Sequence, residues 1–405
     1  MDFLEHLAGW LSRSLANHFR PASQPSGSAD LCMGNDDAPM RLLVVANALI
    51  PTVQLSLLSP LADLVESGQC QIQMLTEQAM KQRFGKNLRS EEVWRWVKEH
   101  WSRSRPTHLI FCRYSGPHGH AILDHAIADK IPSIYCIDDD LLNVPRELGQ
   151  QKYEYHNHPL RLATVRHLLD SVDLVYCSNE RLKSRLQKLG IEGNLCAGKI
   201  FCAGTIVMPA ERRSMAVIGY MGFDHAHDFE IPLHAIIKVL NDYPHLKFEL
   251  FGKIPKPQSL DEFGDRVSVI SVVADYDQFL TTLASRRWDI GICPLAPTDF
   301  NQVKNINKWI EYTSVGTAVI ASGGSIYDDC CSGGSGIVVA DDEWFNALSS
   351  LINDNEKRFK QVQAAQKKMA EAYSISNLRG QLLIMLEAAG KAQKIRNQLL
   401  KKHHE

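Results

Sequence analysis

Short apolar segments alternate with longer amphipathic segments along most of the chain. The short segments are rich in Val, Ile and Leu, which is typical of strands buried on both faces of a parallel sheet. They predict strands at residues 41–46, 71–75, 108–112, 131–137, 173–177, 247–251, 267–272, 290–293 and 337–340, and strands that begin at Val217 and Ala318. Between them, apolar positions recur with the period of a helix. This alternation predicts an α/β fold with doubly wound sheets.

The pattern divides the chain into four parts. Residues 1–39 contain an amphipathic helix over 1–20 and a linker rich in Pro, Ser, Gly and Asp. Residues 40–205 and 206–375 are each long enough for one domain, and residues 376–405 form a terminal helix with a basic tail. Two interpretations of the first helix are open. It is either an anchor that lies on a membrane surface or a helix that packs on its own domain or on another subunit.

Composition changes this picture mainly by exclusion. The chain has 405 residues, a formal net charge of −2 and 45% hydrophobic residues, which is typical of a globular protein and gives no support for a nucleic-acid partner. Its ten cysteines include no Cys-x-x-Cys, so reduced cysteines are expected. No apolar segment reaches the roughly 20 residues of a membrane span, and Asp2 and Glu5 argue against a secretory signal. We expect a cytoplasmic protein, with contact to the inner face of the cell membrane left open.

Residues 289–322 contain a strand, a polar loop, a predicted helix over 301–313 and the next strand. Four polar residues of that helix are spaced by three, four and three positions: Asn301, Lys304, Lys308 and Glu311. This spacing predicts one polar helix face. In doubly wound sheets, ligands lie at the carboxyl ends of strands, where lysines attract phosphate and a carboxylate accepts hydrogen bonds from sugar hydroxyls. The alternative is a solvated face with an ordinary Lys308–Glu311 pair.

Other strand ends in the second half also have suitable residues for a phosphate-bearing ligand. Gly219 and Gly222 end the strand that begins at Val217, where a backbone without side chains can approach a phosphate, and His225 follows them. Lys253 follows the strand at 247–251, and Ser322 lies at the end of the strand that begins at Ala318. From this geometry Gly219 and Gly222 are candidate phosphate contacts, whereas contacts by His225, Lys253 and Ser322 are implied only by the family resemblance given below.

The first half contains two segments that are candidates for catalysis. His118 and His120 lie in a glycine-containing loop after the strand at 108–112, and either ring can hydrogen-bond a sugar. Asp138 and Asp140 belong to an acidic triplet after the strand at 131–137, where a carboxylate can act as a base or hold hydroxyl groups. The alternatives are a flexible loop with surface histidines and a Mg²⁺ or Mn²⁺ site at the triplet. We predict no bound metal, and no dinucleotide cofactor because the first strand lacks G-x-G-x-x-G.

The segment that follows the strand at 290–293 resembles the donor-binding segment of GT-B glycosyltransferases. The matching residues are Phe300, Asn301, Lys304, Lys308, Glu311, Tyr312 and the run Gly316-Thr317-Ala318-Val319-Ile320-Ala321-Ser322. The likeness is greatest to GT4-like (glycosyltransferase group 1) enzymes that build bacterial surface polysaccharides such as O-antigen. It implies two Rossmann-like domains that face a cleft, with a C-terminal helix that crosses back to the first domain.

The resemblance also implies roles for single residues. Glu311 would hold the ribose of a nucleotide-diphosphate sugar, and Lys308 would neutralise its diphosphate. Donor contacts are implied for Gly219, Gly222, His225, Lys253, Asn301, Lys304, Lys308, Glu311 and Ser322. One position departs from the family, because Val303 stands where many members have a glutamate that faces the transferred sugar.

The function implied is transfer of a sugar from this donor to a glycan or lipid-linked acceptor, without a metal and with retention of configuration. The nucleotide-sugar is a co-substrate, and no other cofactor is expected. Two alternatives stay open, the first of them because of Val303. They are a catalytically inactive scaffold or sensor in a polysaccharide complex, and a GT-B enzyme with other chemistry, such as a nucleotide-sugar epimerase.

Overall fold

A computed structural model of the chain describes residues 31–199, 204–222, 226–273 and 276–402. These residues form two compact units. The first unit contains the described residues up to Val144, residues 151–199 and the described residues from Leu378 onward. The second unit contains residues 145–150 and the described residues from 204 to Asn377. The helix predicted over residues 1–20 lies outside the described residues.

The first unit is built on a sheet of seven strands among the described residues. They are β1 (Cys32–Met33), β2 (Met40–Ala46), β3 (Cys70–Thr76), β4 (His108–Cys112), β5 (Ser133–Ile137), β6 (Leu174–Cys177) and β7 (Leu195–Ala197). Their order across the sheet is β1-β3-β2-β4-β5-β6-β7. Neighbouring strands are parallel except for β1, which is antiparallel to β3 at one edge. The central strands are almost wholly buried, as expected where helices cover both faces.

Helices connect these strands. Their bounds are α1 (Pro51–Val53), α2 (Ser59–Glu66), α3 (Glu77–Phe84), α4 (Glu91–Ser104), α5 (Gly119–Ala128), α6 (Gln150–His156), α7 (Pro159–Ser171) and α8 (Glu180–Lys188). The sequence defines several of their starts, because the side chains of Thr76, Ser90 and Asn179 accept hydrogen bonds from first-turn N–H groups. A π-helical turn, Gln54–Leu58, joins α1 to α2, a departure from regular helix that apolar periodicity does not predict.

The second unit is built on a sheet that is parallel throughout its described strands. They are β8 (Val217–Gly222), β9 (Lys247–Gly252), β10 (Val267–Ile270), β11 (Ile290–Cys293), β12 (Ala318–Ser322) and β13 (Ile337–Val339). Their order is β10-β9-β8-β11-β12-β13. The chain therefore starts at the centre, builds one half of the sheet, and returns to build the other half.

The helices of the second unit follow the same alternation. Their bounds are α9 (Ala226–Asp242), α10 (Tyr276–Arg286), α11 (Asn307–Ser314), α12 (Asp328–Cys331), α13 (Trp344–Ile352) and α14 (Asn355–Ala372). Segments of 3₁₀ helix lie at Gln258–Arg266 and Asn301–Val303. Two apolar clusters, one containing Phe229 and Phe248 and the other containing Trp288 and Trp309, pack among the strands and helices of this unit.

The last helix, α15 (Ile375–Lys402), packs on the first unit from Leu378 onward. Its Met385 is buried, with Sδ 3.8 Å from Cys136 Sγ on β5. Arg396 Nη1 lies 2.9 Å from Oδ1 of Asp173, whose side chain is buried. The predicted return of the C-terminal helix to the first domain is confirmed. Within the part of the chain that the structure describes, no helix is long and apolar enough to cross a membrane.

The linker predicted up to residue 39 is wrong for its last part. Cys32 and Met33 pair with Gln73 and Ile72 as an edge strand, and the linker residue Ala38 is buried. Its composition is typical of a loop, but pairing with β3 depends on residues about 40 positions away. Composition alone does not detect that pairing.

Candidate functional site

The strand order of the second sheet creates a crevice at its centre. β8 lies between β9 and β11. The chain passes from β8 to β9 and β10 on one side, and then crosses to β11 on the other side. In open parallel sheets, ligands bind at such a switch point, outside the carboxyl ends of the strands. β8 ends at Gly222 and β11 ends at Cys293. The segment that follows β11 is the one that the sequence singles out.

That segment is not the continuous helix predicted over residues 301–313. Asn301–Val303 is a 3₁₀ turn, Lys304 is extended with φ −67° and ψ 173°, and α11 begins at Asn307. The prediction is wrong because Asn301 uses its side chain to fix the loop. Its Nδ2 donates to Asp228 Oδ1 (3.1 Å) and to the Ala296 carbonyl (3.0 Å). Side-chain bonds of this kind compete with helix formation, and periodicity does not detect them.

Lys308 and Glu311 do share one face of α11, since they are three residues apart. Lys308 Nζ lies 5.3 Å from the centre of the Tyr220 ring, on β8. Burial lowers the pKa of Lys308, and the nearby Cys293 and other acidic groups act against this shift. Lys308 is therefore a partly buried cation at the switch point, and an anionic ligand would stabilise its charged form.

Glu311 is the second unusual group of the site. Burial raises its pKa to about 8, although Lys308 and a hydrogen bond with the Tyr276 side chain act to lower it. A carboxyl group that keeps its proton near neutral pH is typical of functional sites, where a charge is desolvated for a purpose other than stability. Lys308 and Glu311 thus provide hydrogen-bonding groups of different character on one helix face.

The raised pKa of Glu311 predicts that the stability of the free protein depends on pH. An unfolded chain releases this proton near pH 4.3, whereas the folded protein retains it up to about pH 8. Between these values the folded state binds more protons, so its stability falls as the pH rises. We expect Glu311→Gln to raise the Tm relative to wild type by more at about pH 8.5 than at about pH 5, measured by scanning calorimetry.

The control for this experiment is Glu371→Gln, which removes an exposed carboxylate from α14. Its Tm difference from wild type should be nearly the same at both pH values. A Tm difference for Glu311→Gln that does not change with pH would show that Glu311 is ionised in the folded protein throughout this range.

Gly219 lies inside β8, and the structure gives a different reason for glycine there than the predicted phosphate contact. A Cβ at this position would overlap the ring of Trp288, which is 1% exposed. The glycine makes room for an indole in the core. Gly222 is the residue that ends the strand, and its carbonyl accepts a hydrogen bond from Lys253 N (3.0 Å). Gly222 and the exposed Lys253 therefore lie together at the carboxyl ends of β8 and β9.

The remaining candidates in this unit have mixed outcomes. Ser322 is buried, and its Oγ accepts a hydrogen bond from Leu295 N (3.0 Å), so it ties the ends of β11 and β12 together. Lys304 Nζ lies 5.1 Å from the centre of the Phe300 ring. His225 lies outside the described residues. Ligand contacts by these residues stay predictions, and Asn301 and Lys304 do not continue the helix face of Lys308.

In the first unit, Arg113 neutralises part of the acidic triplet. Its Nη1 lies 2.6 Å from Asp138 Oδ1 and its Nη2 lies 2.9 Å from Asp139 Oδ2. Burial raises the pKa of Asp138 to about 6, against the opposing effect of Arg113. Asp138 therefore has the raised pKa of a candidate base, but its carboxylate is already ion-paired.

Asp140 is buried among partners of its own unit, which adds no support to its assignment as a catalytic candidate. The side chain is fully buried, Arg185 Nε lies 3.1 Å from Oδ2, and Asn143 Nδ2 donates to both oxygens. A carboxylate with these partners has no exposed face for a substrate. Among the residues that the structure describes, no group of three His, Cys, Asp or Glu side chains converges as a metal site would require.

The two histidines of the glycine-containing loop are held by their own unit. His118 Nε2 donates to the Leu88 carbonyl (2.8 Å), and its ring stacks on Trp94 at 5.8 Å. The exposed His120 stacks on His167 at 3.9 Å between ring centres. These contacts give both rings a structural partner and add no support for catalysis by either residue.

Two residues that organise the site are not apparent from the sequence. Asp228 is fully buried in the first turn of α9, and its Oδ1 also accepts a hydrogen bond from Ala296 N (2.8 Å). The resemblance implies an Asp near the donor loop at this position, and a helix cap is the alternative, but neither predicts the contacts that the structure shows. No local signal indicates the burial of Asp228, because Asp is rarely buried unless it is paired and its partners here are distant in sequence. Tyr276, the partner of Glu311, has no distinguishing motif.

Comparisons with known proteins were made with the sequence and with the structure. The sequence matches no protein-family model and no curated protein. Sucrose-phosphate synthase from Thermosynechococcus elongatus aligns with a TM-score of 0.59 at 14% identity, over 86% of this chain and 100% of that chain. Anabaena HepE, crystallised with UDP and glucose, aligns with a TM-score of 0.59 at 15% identity, over 86% of this chain and 99% of that chain.

A trehalose 6-phosphate synthase from Burkholderia multivorans aligns with a TM-score of 0.57 at 10% identity, over 87% of this chain and 99% of that chain. Each alignment includes most of this chain and nearly all of the other protein. This chain has the GT-B fold. The predicted fold class, an α/β protein with two Rossmann-like sheets, is confirmed, and identities of 10–15% extend this conclusion to the fold alone.

Proposed function

We propose that this protein is a glycosyltransferase that takes its sugar from a nucleotide-diphosphate donor. The second unit would bind the donor and the first unit would bind the acceptor. One observation carries the proposal: the partly buried Lys308 and Glu311 share a helix face at the switch point of the second sheet, where burial lowers the pKa of Lys308 and raises that of Glu311. The fold supports it, because it is shared with HepE, which was crystallised with UDP and glucose.

In this proposal, Lys308 stabilises the departing diphosphate. Negative charge accumulates on the leaving group as the bond to the sugar breaks, and a fixed cation nearby lowers the barrier most where water is scarce. The N–H groups at the start of α11 and the exposed Lys253 add positive potential on the same edge of the sheet. Lys304, three residues before α11, is a further candidate.

Glu311 is proposed to recognise the ribose of the donor. A carboxyl group accepts hydrogen bonds from hydroxyl groups in both protonation states, and when ionised it can accept from both ribose hydroxyls. Its hydrogen bond with Tyr276 would fix its orientation before the donor arrives. The buried Asp228 holds the loop after β11 in place, so it positions the segment without a direct role in binding.

Finer features of the proposal rest on the resemblance of the sequence motif to surface-polysaccharide enzymes. They are a role in polysaccharide synthesis in the cytoplasm, retention of configuration, and transfer without a metal. Metal-independent transfer is supported by the lysines at the carboxyl edge of the second sheet, since they can supply the positive charge that the diphosphate requires.

The experiment that tests the function is a thermal-shift screen of the full chain against nucleoside diphosphates and nucleotide-sugars. A ligand that binds only the folded state raises the Tm by mass action, by about 5 °C at a hundredfold excess over Kd. We expect the nucleotides of one base to raise the Tm. The protein should transfer or hydrolyse the sugar of the corresponding nucleotide-sugar at the same rate with and without EDTA. A well-folded protein that no nucleotide stabilises would contradict the proposal.

A second candidate function is a GT-B protein that binds the donor without transferring it. The observation that favours it is Val303, which is 4% exposed at the position where many related enzymes have a glutamate. A buried valine provides no polar group for the transferred sugar. Stabilisation by a nucleotide-sugar, with neither transfer nor hydrolysis over long incubation, would favour this candidate.

A further inference from the structure

The first unit contains a cavity that the proposed donor site does not use. It lies at the carboxyl ends of β3 and β4, and its volume is about 490 Å³, within the range typical of small-molecule sites. Its wall includes Glu77, the segment 86–89, residues 115–117 and Arg161. All of these residues belong to the first unit, whereas Lys308 and Glu311 belong to the second.

The charge of this cavity is positive. Lys86, Arg89 and Arg161 line it together with a single carboxylate, Glu77, so two positive charges remain. Of the residues that the structure describes, none forms an ion pair with Lys86 or Arg89. The whole chain has a formal net charge of −2, so a local excess of positive charge is not a consequence of composition.

Glu77 does not need a cationic ligand. Its side chain is 2% exposed, Arg161 Nη2 lies 2.6 Å from Oε1, and Lys81 Nζ lies 2.8 Å from the same oxygen. Although burial acts to raise the pKa of Glu77, the hydrogen bonds from Arg161 and Lys81 hold it below its ordinary value. Glu77 is therefore ionised, and Arg161 and Lys81 already balance its charge. This leaves the other two cations of the wall, Lys86 and Arg89, for a ligand.

The wall is held in place before any ligand binds. Arg161 Nη1 donates to Ser115 Oγ (3.0 Å), and its guanidinium stacks over the Tyr155 ring at 3.7 Å. The segment 86–89 is fixed through Leu88, whose carbonyl accepts the hydrogen bond from His118. Arg161 also lies in the first turn of α7, where the helix dipole adds positive potential. Arg161 and the backbone of segment 86–89 are therefore fixed in advance, whereas the side chains of Lys86 and Arg89 are exposed, so the cost of ordering upon binding falls mainly on these two side chains.

We propose that this cavity binds a phosphate group carried by the acceptor, so that the acceptor is a phosphorylated sugar or a lipid-linked phosphate. The identification of the ligand as an acceptor rests on the proposed function. A phosphate monoester carries nearly two negative charges at neutral pH, which matches the two positive charges left on the wall. The planar fork of an arginine and the point charge of a lysine are the usual partners of phosphate oxygens.

The test uses the full chain, with glucose 6-phosphate and inorganic phosphate as probes and glucose as the neutral comparison, in isothermal titration calorimetry. We expect both phosphate probes to bind and glucose not to bind. The double variant Lys86→Met/Arg89→Met should weaken phosphate binding by about tenfold or more. The loss of each hydrogen bond to a charged group typically weakens binding several-fold, and the variant removes two such donors.

Two controls separate this site from other causes. Arg95→Met/Lys188→Met removes the same charges from exposed positions on α4 and α8, and it should bind the probes as the wild type does. Lys308→Met alters the proposed donor site and should also leave glucose 6-phosphate binding unchanged. Equal losses in the two double variants would overturn the proposal, because the effect would then come from net charge alone.

The source of the phosphate is decided by a second measurement, sedimentation with phosphatidylcholine vesicles that contain a minority of polyprenyl phosphate. Co-sedimentation that Lys86→Met/Arg89→Met abolishes supports the lipid-linked source, even where glucose 6-phosphate does not bind. If neither the soluble probes nor these vesicles bind in a manner that depends on Lys86 and Arg89, the inference is wrong. Nucleotide binding, measured in parallel, separates that result from failure of the proposed function.

Discussion

Replacing Lys308 by Met should lower kcat/KM for the donor by about a hundredfold or more. Loss of one fixed group that stabilises developing charge typically has an effect of this size. Lys308 is partly buried, and this burial lowers its pKa, so its charge acts through less intervening water than that of an exposed lysine. Methionine keeps an unbranched apolar stem next to the Tyr220 ring and removes only the ammonium group. Steady-state kinetics with the donor found in the thermal-shift screen measure the effect.

The matched control is Lys367→Met, an exposed lysine on α14, which should retain full activity. The Tm of Lys308→Met should equal or exceed that of the wild type, since the change removes a desolvated charge. Glu311→Ala should weaken donor binding by about tenfold, the value of one or two hydrogen bonds between neutral groups. Unchanged nucleotide affinity in both variants, measured by calorimetry, would remove the support for this site.

Gly219→Ala should destabilise the second unit by about 3 kcal/mol or more, at the upper end of what overpacked cores show. The new methyl group would overlap the Trp288 ring. That ring cannot easily move, because it is buried and its Nε1 donates to Glu249 Oε2 (2.7 Å). Glu249 is itself bonded to Arg286 Nε (2.8 Å). Urea unfolding followed by tryptophan fluorescence measures the loss.

Two further variants decide whether packing is the cause. Gly380→Ala places a methyl group where no atom lies within 4 Å, inside α15, and it should stabilise the protein by about 0.5–1 kcal/mol through helix propensity. Trp288→Phe in the Gly219→Ala background should recover part of the lost stability, because a smaller ring relieves the overlap. A stable Gly219→Ala protein that no longer binds nucleotide would instead restore the phosphate-contact prediction.

The fold could be predicted largely from the sequence because buried parallel strands are continuous apolar segments. The strands at His108–Cys112 and Ile290–Cys293 have the predicted bounds. Two very short strands of the first sheet, β1 and β7, could not be predicted in this way. β7 has three residues and β1 has two, and each exists because a neighbouring strand supplies its partners. Such pairing depends on the tertiary fold, and local sequence does not contain it.

The sequence predicts which polar residues lie at the candidate site, but it does not predict the contacts that hold them in place. Lys308 and Glu311 lie on one face of α11 as predicted, because a spacing of three residues within a helix depends only on local sequence. The break at Lys304 depends on the bond from Asn301 to Asp228, 73 positions away in the sequence. Gly219 was predicted at a phosphate for its flexibility, whereas its environment, the ring of Trp288, becomes visible only in three dimensions.

The return of α15 to the first unit has a consequence for synthesis on the ribosome. The strands of the first unit are complete near residue 197, but the helix that covers part of its sheet begins to pack only at Leu378. At about 5–20 residues per second, the first unit waits roughly ten to forty seconds for this helix. During that interval the surface that will contact Met385 is uncovered, and Asp173 keeps its hydrogen bonds from Ser133 but lacks its ion pair with Arg396. A chaperone would therefore be needed while the first unit is made but α15 is not. A chain that ends before residue 378 would remain without this helix.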